Sequence, residues 1–258
     1  MIYEEVKKFY LSYSGKKCVI GYSLCGRAIF AMHCGSLTGR QLISTYAIHG
    51  REWITARLGL KHIACGLCGG WGGWIIPLSN PDGAVVSQTK SPMWKANARG
   101  VDLNCNFDAL WGTGRLNTKV RGGENCIGGS PFSEPESKAI RDFTLKIMPC
   151  ATFSFHTKGE EIYWEFEGGG DECGAHILAK STGYTVKKIT GSAGGYKDWC
   201  IYRLKIPAYT IECGSDSLSH PIKNLNRLKK CFSALKNFTQ LYDCLLYTSP
   251  SPRDMRRS

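Results

Sequence analysis

Short apolar segments rich in β-branched and aromatic residues alternate along this chain with segments that have the apolar period of a helix. This alternation is typical of buried strands that are covered by helices. We therefore predict an α/β fold, a single domain with a mixed β-sheet flanked by helices on both faces. The predicted strands are residues 17–20, 28–33, 42–48, 74–78, 151–155 and 208–211, and the predicted helices are residues 54–64, a segment ending near 147 and one beginning near 224.

Local signals set some boundaries of these elements. Cys25-Gly26 predicts the turn of a hairpin between the first two strands, and Asn80-Pro81-Asp82-Gly83 predicts a turn that closes the strand 74–78. Ser133 and Glu136 have the spacing of a capping box, with the serine at the N-cap of the helix that ends near residue 147.

The chain has 258 residues, of which 43% are hydrophobic, enough to bury a sizeable core. No linker divides its middle, so we assign one domain to residues 1–243. Residues 244–254 (CLLYTSPSPRD) resemble the translated read-through of a common sequencing adapter, and we interpret residues 244–258 as a non-native tail.

The basic charge, 33 Lys and Arg against 21 Asp and Glu, raises nucleic acid and acidic substrates as partners. The basic residues are spread along the whole chain without a stripe or a recognition motif, so we expect no nucleic acid partner and an anionic substrate instead. No segment is apolar for about 18 residues and the N-terminus lacks a signal-peptide core, so we expect no membrane partner and a cytosolic location. The 13 cysteines are scattered and odd in number, which favours buried thiols over a disulfide framework.

Functional side chains follow the predicted strands. His49 and Glu52 form an H-x-x-E motif directly after strand 42–48, His156 follows strand 151–155, and Glu212 follows strand 208–211. Since open α/β sheets bind ligands at the carboxyl ends of their strands, these groups are expected to meet. Two histidines and one carboxylate are a catalytic zinc set, and a second glutamate can accept a proton from water. Each residue alone also fits a structural role, a hydrogen-bonded histidine or a capping glutamate.

With these motifs the sequence resembles the zinc carboxypeptidase (M14-like) family, and within it the bacterial γ-D-glutamyl-diamino-acid endopeptidases. The resemblance covers nearly all of residues 19–241. The segments that carry it are GYSLCGRAIFAMHCG, AIHGREWITA, NPDG, WKANARGVDLNCNF, SEPE, SFHTKGEEIYWEF and GSAGGYKDWCIYRLKIPAYTIECG.

This resemblance implies a role for several residues. It implies that one Zn²⁺ per chain is bound by His49, Glu52 and His156, and that Glu212 is the general base. Lys95 matches a position where members of the family carry an arginine that stabilises the oxyanion. The residues that match substrate-binding positions are Arg51 and Asn104, the latter also a plausible turn residue.

Two positions depart from the family pattern. Cys105 stands where an arginine usually binds the terminal carboxylate of the substrate, and Thr190 stands where a tyrosine is usual. A thiol cannot form a bidentate ion pair. Tyr196, six residues after Thr190, is a candidate substrate-binding residue or a packing aromatic.

We therefore expect a zinc peptidase that hydrolyses the γ-D-glutamyl bond to meso-diaminopimelate or lysine in cell-wall muropeptides. The alternatives are a conventional metallocarboxypeptidase, with Lys197 or Arg203 replacing the missing cation, and a pseudoenzyme that binds muropeptides without cleaving them. Arg51, Lys95, Lys158 and Lys197 are candidates for binding the carboxylates of the substrate, although the last two also fit a solvated surface. The oligomeric state is left open.

Overall fold

The computed structural model describes the backbone of residues 1–248 and the side chains of residues 1–242. Its strands are β1 Lys17–Tyr22, β2 Ala28–Gly35, β3 Arg40–Tyr46, β4 Trp71–Ile76, β5 Ala151–His156, β6 Glu161–Tyr163, β7 Glu165–Phe166, β8 Gly169–Gly170, β9 Thr185–Lys187 and β10 Ala208–Glu212. Its α-helices are α1 Ile2–Ser12, α2 Ile54–Cys65, α3 Pro81–Thr89, α4 Pro135–Ile147, α5 Glu172–Thr182, α6 Tyr196–Trp199 and α7 Ala234–Thr248.

Eight strands form one mixed sheet in the order β1-β2-β4-β3-β5-β10-β6-β9. The four central strands, β4, β3, β5 and β10, run parallel to one another. Helices cover both faces, as the alternation of apolar segments predicts. Because β3, β5 and β10 are adjacent and parallel, the residues that follow them lie at the same edge of the sheet.

Most of the predicted elements are confirmed. The predicted hairpin is the antiparallel pair of β1 and β2, and the predicted helix 54–64 is α2, which ends one residue later than expected. The predicted strands 42–48, 151–155 and 208–211 are β3, β5 and β10, with boundaries shifted by one or two residues.

Three local predictions are wrong. The sequence Asn80-Pro81-Asp82-Gly83 is not an isolated turn: Asn80 caps α3, which begins at Pro81. Glu134, not Ser133, is the N-cap of α4, because the Ser133 hydroxyl instead donates to Glu134 Oε1 at 2.9 Å and accepts from Asn106. The segment after Asn224 is first a 3₁₀-helix, Leu225–Cys231, and α7 begins only at Ala234.

The main core lies between the sheet and the helices α1, α2, α5 and α7. His62 of α2 is buried in this core, where its Nδ1 lies 2.6 Å from the Tyr46 hydroxyl and its Nε2 lies 2.5 Å from the carbonyl oxygen of Cys231. Since the carbonyl can only accept, Nε2 carries a proton. Burial lowers the pKa of His62 to about 4.

Among the described residues, no helix is both long and apolar enough to span a membrane. The helix α7 extends to Thr248, five residues into the segment interpreted above as a non-native tail. Residues 249–258 of that segment lie outside the described part of the chain.

Candidate metal centre and active site

The structure brings His49, Glu52 and His156 together at the edge of the sheet where β3 and β5 end. One ligand atom from each of the three side chains lies within 4.8 Å of the other two. The three residues are 6%, 3% and 1% exposed, respectively. A buried cluster of two imidazoles and one carboxylate is a typical donor set for zinc.

The close polar contacts around this cluster also fit a metal site. His49 Nδ1 lies 2.8 Å from Glu52 Oε1, and His156 Nδ1 lies 3.1 Å from Glu52 Oε2. The opposite ring nitrogens point away from the cluster, His49 Nε2 to Asp102 Oδ1 at 3.3 Å and His156 Nε2 to Ser154 Oγ at 3.1 Å. Such outer partners fix the orientation of histidine ligands and direct one nitrogen of each ring at the metal. The residues present therefore fit zinc.

Close backbone packing holds the segment between β3 and α2 in place. A Cβ on Gly50 would lie 2.5 Å from the carbonyl oxygen of Gly83 and 2.8 Å from that of Trp94, so only glycine fits there. The amide of Gly50 donates to the carbonyl of Lys95 at 2.9 Å. This packing places His49 and Glu52 beside the segment that carries Lys95.

Glu212 is the last residue of β10, and it is paired in register with His156 of β5 on one side and with Glu161 of β6 on the other. Its side chain lines a cavity of about 330 Å³, which His49 also lines. Burial, together with the negative charge of Glu52, raises the pKa of Glu212 to about 8. A carboxyl group with a pKa near neutrality suits proton transfer.

Asp102 links Lys95 to the metal cluster. Its Oδ2 lies 2.7 Å from Lys95 Nζ, and its Oδ1 faces His49. Burial opposes the charge of Asp102, but the Lys95 ammonium and His49 overcome this and lower the pKa of the carboxyl far below its usual range. Lys95 also donates to Asn125 Oδ1 at 2.9 Å, and its side chain lines the cavity as a positioned cation.

The structure places the three predicted substrate-binding residues differently. Asn104 lines the cavity, although its Oδ1 already accepts from the backbone amide of Tyr196 at 3.1 Å. Arg51 lies outside the residues that line this cavity and forms an ion pair with Glu124. Tyr196 is not brought to the site: it is fully buried, and its hydroxyl lies 2.9 Å from that of Thr144. This position favours the packing interpretation of Tyr196.

Cys105 and Thr190, the two positions that depart from the family pattern, both line the cavity. Cys105 is 8% exposed, and burial together with the nearby charge of Asp102 raises the pKa of its thiol. The thiol is therefore neutral, and the inner wall of the cavity has no cation at this position.

The remaining candidate cations are already paired. Lys197 lines the cavity but donates to Asp198 Oδ1 and to the carbonyl oxygen of Glu165, both at 2.7 Å. Arg203 pairs with Asp108 and Lys158 pairs with Asp216, and neither cation lines the cavity.

Sequence reasoning missed Asp102 and Asn125, the partners of Lys95. Asp102 lies within the segment WKANARGVDLNCNF, where its position between Lys95 and Asn104 was a usable signal. Asn125 lies in a loop, and no local pattern marks it. Arg115, which also lines the cavity, was missed for the same reason.

Comparison with known proteins agrees with this geometry. The family described as zinc carboxypeptidase (peptidase M14) matches residues 2–176. The chain belongs to the zinc carboxypeptidase family. The match includes all three residues of the metal cluster but ends before Glu212.

A curated relative of this zinc carboxypeptidase chain is γ-D-glutamyl-L-diamino acid endopeptidase 1 of Lysinibacillus sphaericus, 29% identical over 178 residues. The alignment covers 60% of this chain but 45% of that relative, so the chain spans less than half of its length.

Two solved structures share the fold. Bovine thrombin-activatable fibrinolysis inhibitor superposes with a TM-score of 0.81 at 21% identity, over 96% of this chain and 95% of the other. The murein-tripeptide amidase MpaA of Escherichia coli O157 superposes with a TM-score of 0.56 at 21% identity, over 93% and 94% of the two chains. At these identities the likeness concerns the fold alone.

Proposed function

We propose that this chain is a zinc peptidase that hydrolyses the γ-D-glutamyl bond to a diamino acid, meso-diaminopimelate or lysine, in cell-wall muropeptides. The observation that carries the proposal is the buried cluster of His49, Glu52 and His156 next to Glu212, in a cavity where neutral Cys105 stands in place of a cation. The name of the Lysinibacillus sphaericus relative supports the same substrate class.

In this proposal His49, Glu52 and His156 hold one zinc ion. When bound, zinc supplies Lewis-acid chemistry, polarising a carbonyl group and lowering the pKa of a water molecule. Glu212, at the end of β10 beside His156, accepts the proton of the attacking water as a carboxylate and passes it to the leaving amine. Lys95, held by Asp102 and Asn125, stabilises negative charge on the scissile carbonyl oxygen.

The neutral wall at Cys105 favours cleavage inside a peptide over removal of a C-terminal residue. A free α-carboxylate next to the scissile bond would lie in this cavity, where Lys95 is paired with Asp102 and Lys197 with Asp198. Burying a carboxylate without a charged partner costs free energy. A substrate whose α-carboxyl group is in an amide bond avoids this cost.

The proposed setting is the bacterial cytosol. All 12 cysteines among the residues with described side chains are free thiols, including Cys213 and Cys231, whose Sγ atoms lie 3.4 Å apart in the core. Adjacent unpaired thiols are typical of a reducing compartment. Six of the 12 are buried, fewer than the sequence analysis expects, and the others are partly or fully exposed.

Digestion of defined muropeptides tests this proposal. We expect the zinc-loaded protein to cleave tetrapeptide muropeptides, in which the α-carboxyl group of the diamino acid is in an amide bond, between D-glutamate and the diamino acid, and to cleave tripeptide muropeptides more slowly, with the products identified by mass spectrometry. Ordinary peptides with a free C-terminus are the comparison substrates. Release of single C-terminal residues from these peptides, with the γ-D-glutamyl bond left intact, would show a conventional carboxypeptidase instead.

A further inference from the structure

Arg115 differs from the lysines of the cavity because none of the described carboxylates neutralises it. Three basic side chains line the cavity, those of Lys95, Arg115 and Lys197. Lys95 is paired with Asp102 and Lys197 with Asp198, both at 2.7 Å. Within the part of the chain whose side chains are described, the guanidinium of Arg115 forms no ion pair.

The backbone around Arg115 is fixed against the opposite wall of the cavity. Its amide donates to the carbonyl oxygen of Gly191 at 2.8 Å. A Cβ on Gly191 would lie 3.5 Å from the Cβ and 3.7 Å from the Nε of Arg115, so the arginine side chain lies along this glycine. Gly191 belongs to the segment of residues 189–193 that lines the cavity. The free cation is therefore part of a formed wall.

Arg115 also lies further outward than Cys105. Arg115 is exposed, whereas Cys105 is 8% exposed and neutral. Leu116, the next residue in the chain, lines the same cavity and is 68% exposed, so the cavity offers an apolar side chain as well as the guanidinium. A group that fits this arrangement has an apolar stem and ends in a carboxylate at some distance from the scissile bond.

We propose that Arg115 binds the carboxylate at the far end of the diamino acid side chain, and that the protein thereby selects a diamino acid with two carboxylates over one with a single carboxylate. This inference rests on the proposed function and makes it more specific. Diaminopimelate and lysine share the same stem and terminal amine and differ only in that distal carboxylate, so they form a matched pair. Leu116 would pack against the stem, and Arg115 would donate to the carboxylate.

The test measures the ratio of kcat/KM for two γ-D-glutamyl substrates, one with meso-diaminopimelate and one with lysine. We expect kcat/KM of the wild type to be roughly five- to tenfold higher for the diaminopimelate substrate. This ratio corresponds to the free energy of a charged hydrogen bond at a partly exposed site. R115A should bring the ratio close to one by weakening only the diaminopimelate substrate, and R115K should retain part of the preference. R121A is the matched control, because Arg121 is an exposed arginine of the same loop region that does not line the cavity.

A binding measurement separates this proposal from the proposed function. Calorimetry with the E212Q protein, alone and combined with R115A, gives the ratio of Kd values for two peptides, γ-D-glutamyl-diaminopimelyl-D-alanine and γ-D-glutamyl-lysyl-D-alanine, in which the α-carboxyl group of the diamino acid is in an amide bond. If the wild type cleaves neither substrate, the proposed function is wrong, and the Kd ratio still decides the role of Arg115. An equal preference with and without Arg115, or no preference in the wild type, would overturn the proposal.

Discussion

At the scale of single residues, Glu212 and His156 are neighbours on adjacent strands but have different proposed roles. We expect Glu212→Gln to bind zinc as the wild type does and to lose at least about 100-fold in kcat, because an amide cannot accept the proton of water. His156→Ala should lose both zinc and activity. Zinc content by atomic absorption and turnover of the same muropeptide check the two variants together. A Glu212→Gln protein without zinc would make Glu212 a ligand rather than the base.

The sequence predicts how these side chains meet better than it predicts what surrounds them. His49 follows β3, and His156 and Glu212 are the last residues of β5 and β10, so a parallel sheet is enough to bring them to one edge. Asp102 and Arg115 reach the site from long irregular segments, where no period relates position in sequence to position in space. Their contacts depend on tertiary packing, which a single sequence does not show.

At the scale of secondary structure, Asn80 connects three segments around the site. Its Oδ1 caps α3 by accepting from the amide of Gly83 at 2.9 Å, and its Nδ2 donates to the carbonyls of Ile48 and Ala96 at 3.0 and 3.1 Å. Ile48 precedes the ligand His49, and Ala96 follows Lys95. Asn80 is fully buried, so each of these bonds replaces one to water.

We expect Asn80→Ala to lower the free energy of unfolding by roughly 2–4 kcal/mol, because it removes a helix cap and leaves two buried carbonyls without this donor. Asn224→Ala is the matched control. Asn224 caps the 3₁₀-helix in the same way but is exposed, and its loss should cost less than about 1 kcal/mol. Urea unfolding of both variants measures the difference, and equal losses would contradict the connecting role of Asn80.

The same segment shows why a local pattern can be ambiguous. Asn-Pro-Asp-Gly has the residues of a turn, but asparagine at the N-cap followed by proline at the first helical position also begins a helix. The structure contains the helix because Asn80 has buried carbonyls to bind. Seven further elements were not predicted: α1, α5, α6, β6, β7, β8 and β9. The four strands among them have two or three residues each, too few for a period to be visible.

At the scale of the whole molecule, the neutral His62 makes stability depend on pH. The unfolded chain takes up a proton on this histidine near pH 6.5, whereas the folded protein does so only near pH 4. The free energy of unfolding therefore falls as the pH decreases from about 6.5 to 4, by about 3 kcal/mol from this residue. Below pH 4 His62 is protonated in both the folded and the unfolded state, so it no longer makes the free energy of unfolding depend on pH.

Urea unfolding between pH 4 and 7 checks this contribution. His62→Gln should reduce the slope of unfolding free energy against pH, whatever its effect on stability at neutral pH. His176→Gln, the same change at an exposed histidine of α5, should leave the slope close to that of the wild type. Equal slopes for all three proteins would show that the pKa of His62 is the same in the folded and unfolded states.

The parallel strands of the sheet all point the same way, so their carboxyl ends lie at one edge of the molecule and their amino ends at the opposite edge. Every group of the proposed active site lies at the edge where β3, β5 and β10 end. The helix α2 leads the chain from this edge back to the opposite one. Cys65, at the end of α2, and Cys150, just before β5, both lie at that second edge and are exposed. With Cys244 replaced by serine, together with the partly or fully exposed Cys18, Cys25, Cys65, Cys68 and Cys173, Cys150 provides a site for coupling the protein to a solid support. Molecules immobilised in this way would share one orientation, with the cavity turned toward the solution.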